Sequence, residues 1–254
     1  RDGKIDIASA SGLWADNDPR AAITIDAMLR MSSGLDFNEY DAWPPAPLTT
    51  MLYRSPDAAA FAMGLPLQHA PNTHWAYASA TSNLLARVLH RAYGDDDAYH
   101  EMPYRELFSK LGMRSAIFEA DASGTFVGSS YVYATARDFA RFGLLYAQDG
   151  VWNGERILPE GWVEYARTPT PGAGKRQYGA HWWQPSTTER AKAEARGVPL
   201  PGDTFHASGF EGQKIVVMPS RKVVIVRLGL KYFSVYPPYE YVCDILEALP
   251  EPGA

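Results

Sequence analysis

The chain has 254 residues, of which 46% are hydrophobic and 21% charged. That is enough for one large domain or two small ones and excludes disorder as the dominant state. A net charge of −5 argues against a nucleic-acid partner, and a single cysteine, Cys243, excludes an internal disulfide or a cysteine-rich zinc cluster.

Residues 1–20 read as a loop closing at Asp16-Asn17-Asp18-Pro19. Thr24 is placed to cap a helix carrying Ile25, Met28 and Leu29, with Gly34 as its stop. Residues 36–56 read as a long loop rich in Pro, Trp and Tyr. Ser55-Pro56-Asp57 predicts a helix start by cap and Pro-at-N1 logic, ending at Gly64. The apolar stripe Leu84, Leu85, Val88, Leu89 and Ala92 predicts a helix over 80–93, closed by Gly94. Asp95-Asp96-Asp97 reads as a solvated loop, followed by a helix over 101–111.

Thr135 predicts the cap of a helix running to about Gln148, and Asn153-Gly154 a type I′ hairpin within 151–158. Residues 159–167 read as a short helix. The texture then changes. Residues 178–184, 213–218 and 222–230 are rich in Val, Ile and aromatics and read as strands, the last two joined at Pro219-Ser220-Arg221. A helix over 238–249 ends the chain. The order of elements is α+β: a connecting segment over 1–20, a mainly helical region over 21–150, and an antiparallel-sheet region with a C-terminal helix over 151–254.

Several chemistries lack their residues. There is no P-loop, no Gly-x-Gly-x-x-Gly, no Gly-x-Ser-x-Gly elbow and no His-Glu-x-x-His, and the six histidines show no close ligand spacing. No metal or cofactor is expected. No apolar run approaches the ~20 residues of a membrane span. The longest candidate, 215–230, is broken by Pro219, Ser220, Arg221 and Lys222.

Four segments, in order, carry a resemblance. They are Ile23-Thr24-Ile25-Asp26 through Leu29-Arg30-Met31-Ser32-Ser33-Gly34-Leu35-Asp36; Tyr77-Ala78-Ser79 with Leu84-Leu85-Ala86; Tyr133 to Gly143; and His206-Ala207-Ser208-Gly209-Phe210-Glu211-Gly212-Gln213. Together they resemble the serine β-lactamase and penicillin-binding-protein superfamily, nearest to its class C-like esterase and 6-aminohexanoate-dimer hydrolase branch. The resemblance implies a β-lactamase/transpeptidase-like fold, a helical region plus an antiparallel sheet flanked by helices. It also implies acyl transfer through a serine ester on a small-molecule ester or amide.

By this resemblance Tyr77 would share proton transfer, which needs cations to lower its pKa. Ser79 would orient substrate; as the bland alternative it is a helix N-cap. Ser208 and Gly209 match the sheet-edge motif, and the Phe210 N–H would be an oxyanion donor. Tyr40, Trp43 and Tyr53 would belong to an aromatic loop over the substrate, or to one merely packed on the helical region. One departure matters. Ala207 stands where the motif has Lys, which favours a neutral ester or amide over a β-lactam. His206 would point to the opposite strand face.

In the family the nucleophile is Ser-x-x-Lys, and no serine of this chain is followed three residues later by lysine. The opening Arg1-Asp2-Gly3-Lys4-Ile5-Asp6-Ile7 resembles the stretch just after the nucleophile helix. The expectation is therefore that the N-terminal strands and that helix are absent and that the isolated chain is inactive. The missing N-terminal segment, as a separate chain, is then a partner. A catalytically inactive relative serving as a binding or association module is the alternative. One cysteine does not set the compartment.

Overall fold

The computed structural model describes residues 3–39, 45–174, 177–229 and 239–250. The chain divides into two compact units. The first comprises Arg1–Ser109, Ser115–Tyr133 and Thr170–Gly172; the second comprises Lys110–Arg114, Ala134–Pro169 and Ala173–Ala254.

The first unit is helical. Its helices are α1 (Ile25–Leu29), α2 (Pro47–Tyr53), α3 (Ala58–Met63), α4 (Ser79–Tyr93) and α5 (Asp96–Pro103). A π turn (Tyr104–Phe108) and the short α6 (Ser109–Leu111) follow α5. Strands β1 (Ile117–Phe118) and β2 (Val132–Tyr133) pair antiparallel. Thr24 caps α1 as expected, its Oγ1 accepting from the Ala27 N–H at 3.1 Å. α4 is amphipathic: Ala80, Leu84 and Val88 bury one face in a core with Ile23, Met28 and Met51. Full burial of a Leu or Met side chain contributes about 1.5–3 kcal/mol. Gly94, at φ 67°, closes the helix.

Four expectations are corrected here. The 36–56 stretch is not all loop, because α2 forms with Pro47 at its first position and Met51 buried. Asp57, not Ser55, caps α3, accepting from Ala60 N at 2.7 Å. Gly34 does not stop α1, which ends at Leu29 with Arg30 as its C-cap. The aspartate triplet starts α5: Asp95 accepts from Ala98 N at 2.8 Å, and Asp96 and Asp97 fill the first turn. There they favour the positive end of the helix dipole, and the helix begins five residues before its expected start at 101.

In the second unit, Thr135 caps α7 (Ala136–Ala147), its side chain accepting from Asp138 N. Strands β3 (Val151–Trp152) and β4 (Glu155–Arg156) form the expected hairpin, with Asn153 and Gly154 both at positive φ. Helices α8 (Trp162–Arg167) and α9 (Thr187–Ala195) precede the sheet β5 (Phe205–Ser208), β6 (Lys214–Met218), β7 (Val223–Arg227), which is antiparallel in that order. α10 (Glu240–Ala248) is the last helix among the described residues.

The sheet is covered on both faces. Phe205, Ile215 and Val217 face Tyr146, Val163 and Trp182, while Val216, Met218 and Ile225 face Val242, Cys243 and Leu246. The two-residue period of a strand produces this split. A Cβ at Gly143 of α7 would lie 2.6 Å from Val224 Cγ1, so glycine allows helix and sheet to touch.

Residues 178–184 are not a strand. His181 takes φ 61°, and a lone bridge joins Tyr178 to Trp183. The positive φ breaks the extended run, and a Cβ at Gly179 would meet the Ala166 carbonyl oxygen at 2.1 Å. With helices and antiparallel sheets in separate stretches, the fold class is α+β.

Candidate active-site segments

Tyr77 and Ser79 lie in the first unit. The segment leading to Tyr77 is tied down by backbone bonds: Asn72 N donates to Ser32 O at 2.8 Å and Ala76 N to Met31 O at 2.9 Å. The Met31-Ser32-Ser33-Gly34 stretch is thus a platform for the Tyr77 segment. Met31 holds a positive φ of 57°, and Gly34 O accepts from both Gln68 N and His69 N. Ser33 Oγ lies 3.3 Å from Thr81 Oγ1 in the first turn of α4.

Ser79 is the first residue of α4, and Ala78 is its N-cap, so Ser79 does not serve as the cap. Instead both of its donors go to one carboxylate. The Ser79 N–H donates to Glu39 Oε2 and the hydroxyl donates to Glu39 Oε1, each at 2.7 Å. The carboxylate also sits at the positive end of a 15-residue helix. Burial pushes the Glu39 pKa up, while the two bonds from Ser79 pull against that rise. Glu39 is absent from the sequence-based set of site residues. It lies 40 residues from Ser79, and no local spacing links them. Tyr77 is half-buried one residue before the cap. Tyr40 and Trp43 lie outside the described residues; Tyr53 ends α2 and is 72% exposed.

Ser208, Gly209 and Phe210 lie in the second unit, where β5 leaves the sheet. Among the described residues β5 is the edge strand of its sheet. His206 bonds outward: its N–H donates to Trp183 O at 2.7 Å and its carbonyl accepts from Trp183 N at 2.9 Å. Gly209 bonds inward, its N–H donating to Gln213 O at 2.8 Å. Backbone groups alternate along an antiparallel strand, so Ser208 turns its N–H and carbonyl to the same outer edge as His206. Phe210 follows at the head of a 3-10 turn, where its N–H has no partner within the turn. The bend is made by Glu211 at φ 59° and Gly212 at φ 78°. The Phe210 ring is 87% exposed.

The side chains alternate as well. Ala207 packs with the apolar cluster of α7 and α8, whereas His206 Nδ1 lies 2.7 Å from Tyr239 Oη. Ser208 faces the same way as His206 and stands opposite Lys214 in the ladder. The Lys214 ammonium lies over the Tyr239 ring, 5.9 Å from its centroid. Burial, and secondarily Lys214, hold the His206 imidazole well below its ordinary pKa. Among the described residues, no group of three or more His, Cys, Asp or Glu is placed to hold a metal.

The α+β fold is of the β-lactamase and penicillin-binding-protein type. The chain belongs to the Beta-lactamase family, whose model matches residues 2–230. A 6-aminohexanoate-dimer hydrolase from Paenarthrobacter ureafaciens is 29% identical over 165 residues, covering 60% of this chain and 38% of that protein. The match therefore spans well under half the length of that relative. A Bacillus anthracis protein assigned as a 6-aminohexanoate-dimer hydrolase superposes with a TM-score of 0.72 at 23% identity, over 98% of this chain and 68% of that one. A penicillin-binding protein from Bacillus halodurans gives 0.66 at 18% identity, over 97% and 79%. The family is one of hydrolases.

Proposed function

We propose that this chain carries part of the site of a serine hydrolase that cleaves a small ester or amide through an acyl-serine intermediate. The observation that carries the reading is the edge of β5 at Ser208–Phe210, which no strand among the described residues covers. Its backbone presents an acceptor at Ser208 and a donor at Phe210. A strand edge of this kind aligns an acyl group, and an N–H at its end stabilises a developing oxyanion. Tyr77 then takes part in proton transfer, and Ser79 orients the substrate. None of the 254 residues forms Ser-x-x-Lys, so on this reading the nucleophile is not among them. Ala207, in place of the motif's Lys, supports a neutral ester or amide over a β-lactam carboxylate.

The test is intact mass after treatment with a fluorophosphonate. No adduct on the pure 254-residue chain, and a single adduct on any form of the protein that carries a Ser-x-x-Lys motif, is the expected result. An adduct and turnover in the pure 254-residue chain would overturn the assignment of the nucleophile to other residues. No adduct on any form of the protein would favour the binding-module reading instead.

A further inference from the structure

We propose that Glu39 and Ser79 form a specificity element that makes the start of α4 an acceptor for N–H donors, selecting an amide over the matching ester. This rests on the acyl-serine reading above and goes beyond it by naming a residue and the group it discriminates.

The geometry dictates the proton positions. An ionised carboxylate can only accept. Glu39 faces the Ser79 hydroxyl and the Ser79 N–H, both at 2.7 Å, so the hydroxyl proton must point at Glu39. The Ser79 oxygen is left with lone pairs alone to offer a ligand. It can receive a hydrogen bond from an amide N–H but cannot give one to a carbonyl or an ester oxygen. An asparagine at this position would present two donors; the Glu39–Ser79 pair presents none.

Electrostatics point the same way. Among the described residues no Lys or Arg forms an ion pair with Glu39, and burial already disfavours its charge. A donor approaching Ser79 relieves that cost, whereas a lone pair or a carboxylate adds to it. Sites built to receive a substrate N–H discriminate strongly against analogues that lack it, because the acceptor is then left unpaired. For one charge-assisted acceptor about a tenfold preference is the scale.

A bland alternative is that Glu39 merely caps α4. The two roles separate in a ratio. The test uses the protein carrying its nucleophilic serine and compares the p-nitroanilide and p-nitrophenyl ester of one acyl group. In the wild type the amide-to-ester ratio of kcat/KM should fall on acidification as Glu39 is protonated, above the ordinary carboxylate range. E39Q turns an N–H2 toward the Ser79 oxygen, frees the hydroxyl proton, and should lower that ratio about tenfold and flatten its pH dependence. S79A should lower the ratio similarly, and the double variant no further. A cap role alone would depress both substrates equally. An unchanged ratio in S79A, with ester turnover intact, overturns the proposal and leaves the acyl-serine reading standing. S79A also decides the matter if E39Q does not fold. A wild type with neither fluorophosphonate adduct nor turnover rejects both.

Discussion

His206 Nδ1 lies 2.7 Å from the hydroxyl oxygen of Tyr239, a bond between the edge strand β5 and the residue that opens α10. Both groups are buried, and burial drives the imidazole pKa down and the phenol pKa up. The bond is therefore one between neutral partners, and it holds the strand that ends in Ser208 and Gly209 against the C-terminal helix. Tyr239→Phe leaves a buried imidazole nitrogen unsatisfied. The expected loss is about 1–3 kcal/mol, read from the urea midpoint. An unchanged midpoint would mean the bond contributes nothing.

Acid should weaken the fold through histidine. Burial lowers the His181 pKa from 6.5 to about 4, and His206 is shifted in the same direction. A depressed histidine pKa means that the unfolded chain binds the proton first. Their contribution is complete above about pH 6.5 and is lost as pH falls toward the folded values. For His181 the loss reaches about 3 kcal/mol across that window. Equilibrium unfolding at pH 7 and pH 4 measures it. His181→Gln should show a smaller difference between the two pH values than the wild type.

Gly34 tests the platform beneath the Tyr77 segment. It holds φ +79°, and a Cβ there would lie 2.1 Å from the His69 carbonyl oxygen. Gly34→Ala should destabilise by at least about 2 kcal/mol. Gly12 is the matched control, with φ +67° and nothing within 4 Å of its Cβ. Gly12→Ala should show only the cost of the left-handed backbone, about 1–2 kcal/mol. Equal losses in the two variants would refute the steric argument for Gly34.

The oxyanion role given to Phe210 is a claim about its N–H and not its ring. Phe210→Pro removes the N–H, while Phe210→Ala removes only a ring that is 87% exposed. In the protein carrying its nucleophile, kcat for an ester should fall about 100-fold further in the proline variant than in the alanine variant. Equal values in the two variants would remove Phe210 from the mechanism.

Much of the local structure was legible from short-range chemistry. Thr24 and Thr135 cap the helices they precede, and Asn153-Gly154 makes its hairpin, because each depends on neighbours a few residues away. α9 was not among the predicted elements: Ser186 and Glu189 form a capping box, but the polar residues that follow show little apolar periodicity. Residues 178–184 misled for a different reason. Aromatic-rich composition, from Tyr178, Trp182 and Trp183, reports burial, and burial here comes with a turn at His181 instead of an extended strand.

The sequence by itself determined the α+β order, the family resemblance and the two motif segments, Tyr77-Ala78-Ser79 and Ser208-Gly209-Phe210, because each is a contiguous run whose residue types carry the signal. Only the tertiary structure brought Glu39 onto Ser79 across 40 residues of chain, turned Ser208 to the outer edge of β5, and sent His206 to Tyr239 while Ala207 faced the other side. Those outcomes depend on strand register and on how one element packs against another. Contacts of that kind are set by three-dimensional approach, which no local spacing of residues encodes.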